Sequence, residues 1–157
     1  GAYSALQSAA LAPDLYRCAI GVAGIYDLTL LTKKGDITRV AYGEAYLDKA
    51  IGQDNALLKS YSPQHLASQI TAKVLLIHGA HDERAPMLHA QKMKTALDNA
   101  GNPAILSEYT DETHSNNYIT NLTALVNALQ EGWSVDQCSQ ELAASWTGWI
   151  HAEVNHT

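Results

Sequence analysis

The sequence predicts an α/β fold in which parallel strands are flanked by helices. Two short apolar runs, at residues 18–24 and 73–79, have the composition of strands buried on both faces of a sheet. Apolar residues recur at helical spacing before the first run and after the second, and a further strand candidate follows at residues 103–109. Strands that alternate with helices in this way favour a layered fold with a parallel sheet.

The first helix is predicted at the very start of the chain. Apolar side chains recur there at positions that share one helical face, namely Ala2, Ala5, Leu6, Ala9 and Ala10. Pro13-Asp14 ends this pattern. The chain opens inside the pattern, without Met or a capping residue before Gly1, and we therefore expect that the sequence begins within a longer protein.

The segment between the two apolar runs is predicted to lie mostly on the surface. A helical pattern covers residues 36–51, with Asp36 as its expected N-cap. Residues 52–72 are polar and interrupted by Pro63, so we expect a surface excursion with one short helix.

The second apolar run begins the best-defined part of the pattern. Lys73–Gly79 is the clearest strand, and Pro86 stands where a helix favours proline in its first turn. The expected apolar stripe of that helix is Ala90, Met93 and Leu97, and Gly101 is a typical stop. A loop over residues 110–116 and a helix over residues 117–131 are predicted next.

Composition and charge limit the classes of partner. Apolar residues make up 46% of the 157-residue chain and charged residues 17%, which is typical of a globular domain with a core. The net charge of −6 argues against nucleic acid and against an anionic membrane surface as partners. No apolar run is long enough to span a bilayer. We predict no cofactor, and the sequence assigns no compartment.

Two residues that follow strand ends have the chemistry of an acid–base pair. Asp82 lies in the loop after the strand at residues 73–79, and His114 lies in the loop after the strand candidate at residues 103–109. Neighbouring parallel strands lie roughly 4.8 Å apart, so these loops can bring the two side chains into contact. An Asp that binds the imidazole of a His prepares that His to take a proton from a nucleophile. The order Asp then His, with a serine upstream, is that of α/β-hydrolases.

Each of these residues also has a simpler interpretation. Asp82 could cap the helix that begins near Pro86, and His114 could be a solvated loop histidine. A metal site is a minor alternative, because His78, His81 and Asp82 cluster in sequence. The catalytic interpretation is favoured because both residues follow strand ends and occur in the right order.

Several segments together resemble the prolyl oligopeptidase family of serine peptidases. The most specific is Val74-Leu75-Leu76-Ile77-His78-Gly79 followed by Asp82 and Pro86. His114, preceded by Glu112, is similar to the catalytic base in the family pattern Glu-Gly-His-Gly. The other similar segments are Gly1-Ala2-Tyr3-Ser4-Ala5-Leu6, Pro13-Asp14-Leu15-Tyr16-Arg17-Cys18-Ala19, Gly24-Ile25-Tyr26-Asp27-Leu28 and Ser62-Pro63. The resemblance covers roughly residues 1–131.

The resemblance implies the C-terminal part of an α/β-hydrolase fold. Residues 1–131 would be a partial peptidase domain that lacks its N-terminal strands and its nucleophile elbow, and residues 132–157 a divergent, helical tail. Asp82 would be the catalytic acid and His114 the catalytic base. The family pattern Gly-x-Ser-x-Gly-Gly-Tyr places the nucleophilic serine two residues before Gly1, outside this chain. Thr113 and Ser115 depart from the family, since they replace the glycines that flank its base.

The function implied is serine-type hydrolysis of peptide bonds in oligopeptides, with peptide as substrate. Two alternatives remain, an esterase or other acyl hydrolase of the same fold and a non-catalytic hydrolase-like module. We expect the isolated chain to be inactive and marginally stable, with an exposed apolar sheet edge. The sequence leaves open whether it forms a homo-oligomer.

Overall fold

Within the described part of the chain, three parallel strands form one sheet. The computed structural model describes residues 1–114. Strands β1 (Cys18–Val22), β2 (Lys73–Gly79) and β3 (Ile105–Tyr109) lie in the order β1-β2-β3. Cys18 pairs with Lys73 in the register of β1 with β2, and Leu75 pairs with Ile105 in that of β2 with β3. All three predicted strands are therefore present, and both pairings are parallel as expected.

Five α-helices and two 3₁₀ helices connect these strands within residues 1–114. The α-helices are α1 (Ala2–Leu11), α2 (Leu28–Leu31), α3 (Gly43–Ile51), α4 (Asn55–Ser60) and α5 (Leu88–Asn99). The 3₁₀ helices cover Asp36–Arg39 and Pro63–Gln69. No helix within the described range is long and apolar enough to cross a membrane.

Strand β2 is buried along almost its whole length, as its run of branched apolar residues predicts. Residues 74–79 are buried, and successive side chains point to opposite faces of the sheet. Val74 and Leu76 pack with α1 and α5 in the main core, whereas Leu75 and Ile77 form a second cluster with Cys18. A strand covered on both faces explains why this segment is an unbroken apolar run rather than an alternating one.

Helices α1 and α5 pack on the same face of the sheet. In α1, Leu6, Ala9 and Ala10 are buried in the main core, on the stripe that the sequence predicts. The predicted stripe of α5 is also confirmed, since Ala90, Met93 and Leu97 are fully buried there. The helix begins at Leu88, two residues after Pro86, and the glycine expected to stop it, Gly101, has a φ of +81°.

The segment between β1 and β2 differs from the expectation in two ways. The single helix predicted over residues 36–51 is divided into a 3₁₀ helix and α3, and Asp36 lies inside the first turn rather than at its N-cap. Residues 52–72 are not merely a surface excursion. They contain α4 and a 3₁₀ helix, and Ala67, Ile70 and Ala72 join the main core against α1 and α5.

The last elements predicted from the sequence lie outside the described residues. These are the end of the loop at residues 115–116, the helix at residues 117–131 and the helical tail at residues 132–157. Position 115, one of the two departures from the glycine pattern around His114, lies there as well.

Candidate active site

Main-chain hydrogen bonds join the loops that leave β2 and β3 at their carboxyl ends. The amide of Ala80 donates to the carbonyl of Tyr109 at 2.9 Å, and the amide of His81 donates to the carbonyl of Glu112 at 3.0 Å. These bonds continue the pairing of β2 with β3 beyond the strands. The loop with Asp82 and the loop with His114 are thereby held side by side.

Gly79 allows this close approach of the two loops. A Cβ atom at position 79 would collide with the carbonyl oxygen of Glu112 and would lie 2.6 Å from that of Thr113. Real Cβ atoms do not approach main-chain oxygens this closely, so any side chain here would push the second loop away. The glycine at the end of β2 is thus required by the packing of the loop that carries His114.

The carboxylate of Asp82 is fully buried and contacts the ring of His114. Its Oδ2 lies 2.8 Å from Nδ1 of His114, across a separation of 32 residues in sequence. Its Oδ1 accepts hydrogen bonds from the amides of Arg84 at 3.0 Å and Ala85 at 2.8 Å. Asp82 therefore caps the turn formed by residues 82–85, and it does not cap α5, which begins at Leu88.

The ring of His114 is positioned for proton transfer. A carboxylate only accepts hydrogen bonds, so Nδ1 carries the proton in this contact. In the neutral ring Nε2 is then the unprotonated nitrogen, which can accept a proton from another group. The side chain is 35% exposed, in contrast to the carboxylate that it contacts. An exposed histidine oriented by a buried carboxylate is the arrangement of a general base and its partner.

Two ion pairs on the surface also contact the loop that carries Asp82. Arg39 pairs with Glu83 at 3.0 Å, and Arg84 pairs with Asp36 at 3.3 Å. All four side chains are substantially exposed, so each pair contributes only about 0–1 kcal/mol to the free energy of unfolding. The buried contacts of Asp82 matter more for the geometry of the site than these surface pairs.

The metal alternative is not supported within residues 1–114. His78 and Asp82 are neighbours, with His78 Nε2 lying 3.3 Å from Asp82 Oδ2. His81 is exposed, and its contact with the second loop is made by its main-chain amide, which donates to the carbonyl of Glu112. No group of three ligand side chains within the described range could hold a metal ion.

A second buried polar cluster follows the carboxyl end of β1, and the sequence interpretation missed it. Asp27 accepts hydrogen bonds from the amide and hydroxyl of Thr29 and lies 3.4 Å from Nε2 of His65. Burial raises the pKa of Asp27, but the hydrogen bonds from Thr29 and the charge of His65 outweigh burial and leave this pKa below its ordinary value. Helix-capping Asp residues are common, so the type of residue alone gave no signal of this cluster.

A buried histidine on α5 supports the same loop. His89 Nδ1 accepts a hydrogen bond from the amide of Tyr26 at 3.3 Å. Burial lowers the pKa of His89 to about 4, and the side chain is therefore neutral near pH 7. Burial also raises the pKa of the Tyr26 hydroxyl, so this residue remains un-ionised. The two residues link α5 to the loop that follows β1.

The model of the prolyl oligopeptidase family matches residues 1–134. The chain belongs to this family. Its members are serine peptidases, and the resemblance inferred from the motifs is confirmed. Prolyl oligopeptidase dbiP of Dendrothele bispora is 32% identical over 112 residues, which are 66% of this chain and 15% of that protein. Dipeptidyl peptidase family member 6 of Caenorhabditis elegans is 24% identical over 120 residues, which are 73% of this chain and 16% of that protein.

Solved structures of the family share the fold. The uncomplexed acylaminoacyl peptidase of Pyrococcus horikoshii matches with a TM-score of 0.68 at 20% identity, over 83% of this chain and 22% of that chain. A puromycin hydrolase matches with a TM-score of 0.65 at 22% identity, over 80% of this chain and 19% of that chain. The chain therefore has the fold of part of an α/β-hydrolase peptidase, as predicted. It spans less than a quarter of the length of each of these relatives.

Proposed function

We propose that this chain supplies the acid and the base of a serine peptidase, with Asp82 as the acid and His114 as the base. The observation that carries the proposal is the contact of 2.8 Å between His114 Nδ1 and the buried Oδ2 of Asp82. This contact lies beyond the carboxyl ends of two neighbouring parallel strands, where open α/β sheets bind their ligands. Membership of the prolyl oligopeptidase family supports the same assignment.

The nucleophile of this proposal is a serine that precedes Gly1 in a longer protein. Gly1-Ala2-Tyr3 resembles the end of the family pattern Gly-x-Ser-x-Gly-Gly-Tyr, with Ala2 in place of the second glycine, and this resemblance supports a serine just before α1. A serine on such a strand-to-helix turn is exposed at the same end of the sheet as Asp82 and His114. The serines of the described range do not take this place. Ser4 is the nearest to it, and Ser4 lies inside α1 without a sharp turn before it.

The proposed reaction is acyl transfer in two steps. The serine oxygen attacks the carbonyl carbon of the substrate amide while His114 Nε2 takes the hydroxyl proton. His114 then gives this proton to the leaving amine, and an acyl-enzyme remains. Water attacks the ester carbonyl in the second step, His114 again accepts and returns the proton, and the free carboxylic acid is released.

Asp82 serves this reaction by orientation and by charge. Its bond to Nδ1 fixes the ring of His114 in the tautomer that leaves Nε2 unprotonated. When Nε2 takes up the proton, the buried carboxylate stabilises the imidazolium without itself receiving a proton. The amides of Arg84 and Ala85 hold Oδ1, so that Oδ2 stays directed at His114.

The substitution Asp82→Asn tests the acid. The variant is made in the longer protein that contains the upstream serine, and hydrolysis of aminoacyl-nitroanilides and of short p-nitrophenyl esters is measured. Because an amide at position 82 favours the wrong tautomer of His114, we expect kcat to fall by about 10⁴. His114→Ala should cause a loss of similar size, since the two residues act as a unit.

Glu83→Gln is the matched control, because it makes the same chemical change on the neighbouring residue. Glu83 is exposed and pairs only with Arg39 within the described range, so kcat should be unchanged. Wild-type turnover by Asp82→Asn or His114→Ala would refute the assignment. Absence of labelling of the wild type by a fluorophosphonate probe would favour a non-catalytic module, and a preference for the esters over the nitroanilides would favour an esterase.

A further inference from the structure

His78 at the end of β2 contacts both the carboxylate of Asp82 and the turn that holds it. Its Nε2 lies 2.7 Å from the carbonyl oxygen of Ala85 and 3.3 Å from Oδ2 of Asp82. The ring is fully buried, as is the carboxylate. A carbonyl oxygen can only accept, so Nε2 carries the proton and donates it to Ala85, while the carboxylate of Asp82 lies beside this bond.

Both main-chain polar groups of Ala85 are hydrogen-bonded, one to Asp82 and the other to His78. The amide of Ala85 donates to Asp82 Oδ1 at 2.8 Å, and its carbonyl accepts from His78 at 2.7 Å. The peptide groups on both sides of Ala85 are thus tied to β2 and to the carboxylate. Because β2 is the buried central strand of the sheet, His78 transmits its fixed position to the turn at residues 82–85.

Three donors bind the carboxylate of Asp82 within the described range, and a fourth nitrogen lies close to it. The amides of Arg84 and Ala85 donate to Oδ1, and His114 Nδ1 lies 2.8 Å from Oδ2. His78 Nε2 lies 3.3 Å from Oδ2 while it donates to the carbonyl of Ala85. A donor group beside a buried charged oxygen stabilises that charge.

We propose that His78 is a positioning residue that holds the carboxylate of Asp82 in the orientation required by His114. Its Nε2 proton is donated to the carbonyl of Ala85, whose amide binds Oδ1, and Nε2 itself lies 3.3 Å from Oδ2. This inference rests on the proposed function for its catalytic meaning. A purely structural role as a core histidine is the alternative, and it requires only that the ring fills its space.

Two substitutions of similar polarity separate these roles. Glutamine carries an amide nitrogen about as far from the main chain as Nε2, so His78→Gln retains a donor toward Ala85 and Asp82. Asparagine reaches only as far as Nδ1, so His78→Asn removes that donor while keeping an amide in the same cavity. His78→Leu fills the space of the ring without any donor, and it provides the test if the Asn variant does not fold.

The first measurement follows the His114 Nδ1 proton by NMR in the 157-residue chain with ¹⁵N-labelled histidine, and it requires no serine. The wild type and His78→Gln should show this proton protected from exchange by its bond to Asp82. His78→Asn and His78→Leu should lose or broaden it. An unaltered signal in a folded Asn or Leu variant would overturn the role of His78. Absence of the signal in a folded wild-type chain would instead refute the Asp82–His114 pair, and with it the proposed function.

The second measurement is the kinetics of nitroanilide hydrolysis in the longer protein that contains the serine. A misplaced acid lowers the rate of the chemical step, so kcat of His78→Asn should fall roughly 10- to 100-fold. KM should be unchanged, since the ring is fully buried and does not reach the surface. His78→Gln should recover most of the loss. Equal kcat values for the Gln and Asn variants would contradict the proposal.

His89→Asn is the matched control for the loss of a buried ring. His89 is as fully buried as His78, and its Nδ1 accepts from the amide of Tyr26. The amide oxygen of asparagine can replace Nδ1 in that bond. This variant should lose stability but keep the His114 Nδ1 signal. If His89→Asn and His78→Asn lost this signal equally, His78 would act only through the stability of the chain.

Discussion

Two fully buried histidines, His78 and His89, lie within one strand–helix unit and differ in what their rings contact. His78 contacts a carboxylate and a carbonyl, and His89 contacts an amide hydrogen. A carbonyl requires a protonated ring nitrogen, whereas an amide hydrogen requires an unprotonated one. The same residue type therefore serves as a donor beside Asp82 and as an acceptor beside Tyr26, and only the fold distinguishes the two.

The neutral state of His89 makes the stability of the chain depend on pH. Burial lowers its pKa in the folded chain to about 4, whereas an unfolded chain has a histidine pKa of about 6.5. Between these values the unfolded state binds the additional proton, so the stabilisation is fully present above about pH 6.5 and is lost as the pH falls through about 4. The total loss is about 3 kcal/mol in the free energy of unfolding.

Urea denaturation between pH 4 and 7 measures this effect. The free energy of unfolding of the wild type should fall more steeply toward pH 4 than that of His89→Asn, because the variant lacks the titrating group. The two curves should converge as the pH is lowered. Parallel curves over this range would show that His89 has the same pKa in the folded and the unfolded chain.

At the scale of elements, the sequence predicts β1, β2, α1 and α5 well, because a single feature dominates each of them. An unbroken apolar run or an apolar stripe reports directly on burial. The helix predicted over residues 36–51 fails because a tertiary contact overrides the helical pattern. The place of a Cβ at Gly43 coincides with the carbonyl of Ile37, so the chain folds back there and the two halves pack against each other.

The candidate site shows the same division between what sequence reveals and what it does not. Asp82 and His114 could be predicted because each follows a strand end in a known order. The contact of His78 with Asp82 could not be predicted from the sequence. A buried histidine in a strand has the same sequence pattern whether its ring contacts a carboxylate or only fills space. The cluster of Asp27 and His65 depends on a contact between the N-cap of α2 and the 3₁₀ helix at Pro63–Gln69, which no local pattern reports.

The close packing of the two site loops predicts a large effect of Gly79→Ala. The added Cβ would meet the carbonyls of Glu112 and Thr113, which are main-chain atoms that cannot move aside alone. We expect a loss of about 1–3 kcal/mol in the free energy of unfolding and, in the protein with its serine, a marked loss of kcat. Gly52→Ala is the control. It strains a residue with a φ of +78° but contacts nothing within 4 Å, so it should lower stability without lowering kcat.

Gly79→Ala with wild-type kcat would show that the loops tolerate separation. Urea denaturation and nitroanilide hydrolysis, measured on the same preparations of both variants, give the comparison directly.

Ser62 joins two elements of the segment between β1 and β2. Its fully buried hydroxyl donates to the carbonyl of Leu58 at 2.6 Å and accepts from the amide of Leu28 at 2.8 Å. Ser62→Ala leaves both groups without this partner, so we expect a loss of about 1–3 kcal/mol in the free energy of unfolding. Ser60→Ala removes an exposed hydroxyl that donates to Leu57, and it should change stability by no more than about 0.5 kcal/mol.

Urea denaturation of the two serine variants decides between these values. If both variants lost the same free energy of unfolding, the bond from the Leu28 amide to Ser62 would contribute nothing beyond the local bond of Ser62 to Leu58.

At the scale of the whole molecule, the sheet places β2 at the centre and β1 at one edge. Within residues 1–114, β1 forms strand pairs on one side only. Unpaired strand edges promote association with other chains, and a sheet that is extended by further strands buries more apolar surface.

The chain alone should therefore be inactive and marginally stable. We expect no labelling of the 157-residue chain by a fluorophosphonate probe, no hydrolysis of nitroanilides, and concentration-dependent association on size-exclusion chromatography. The protein that includes the upstream serine should be labelled, monodisperse under the same conditions and more stable toward urea. Serine-dependent turnover by the chain alone would contradict the proposed source of the nucleophile.

Main-chain atoms of Tyr109 and Glu112 anchor the loop that carries His114, through bonds to the amides of Ala80 and His81. Such bonds do not depend on the side chains that these residues carry. Thr113 is exposed, and it occupies a position where the family pattern has glycine. The exposed side chains of this loop can therefore be substituted while the histidine keeps its place, provided that position 79 remains glycine. A side chain at Gly79 would displace the loop, whereas a changed side chain at Thr113 would leave the main-chain anchors of the loop in place.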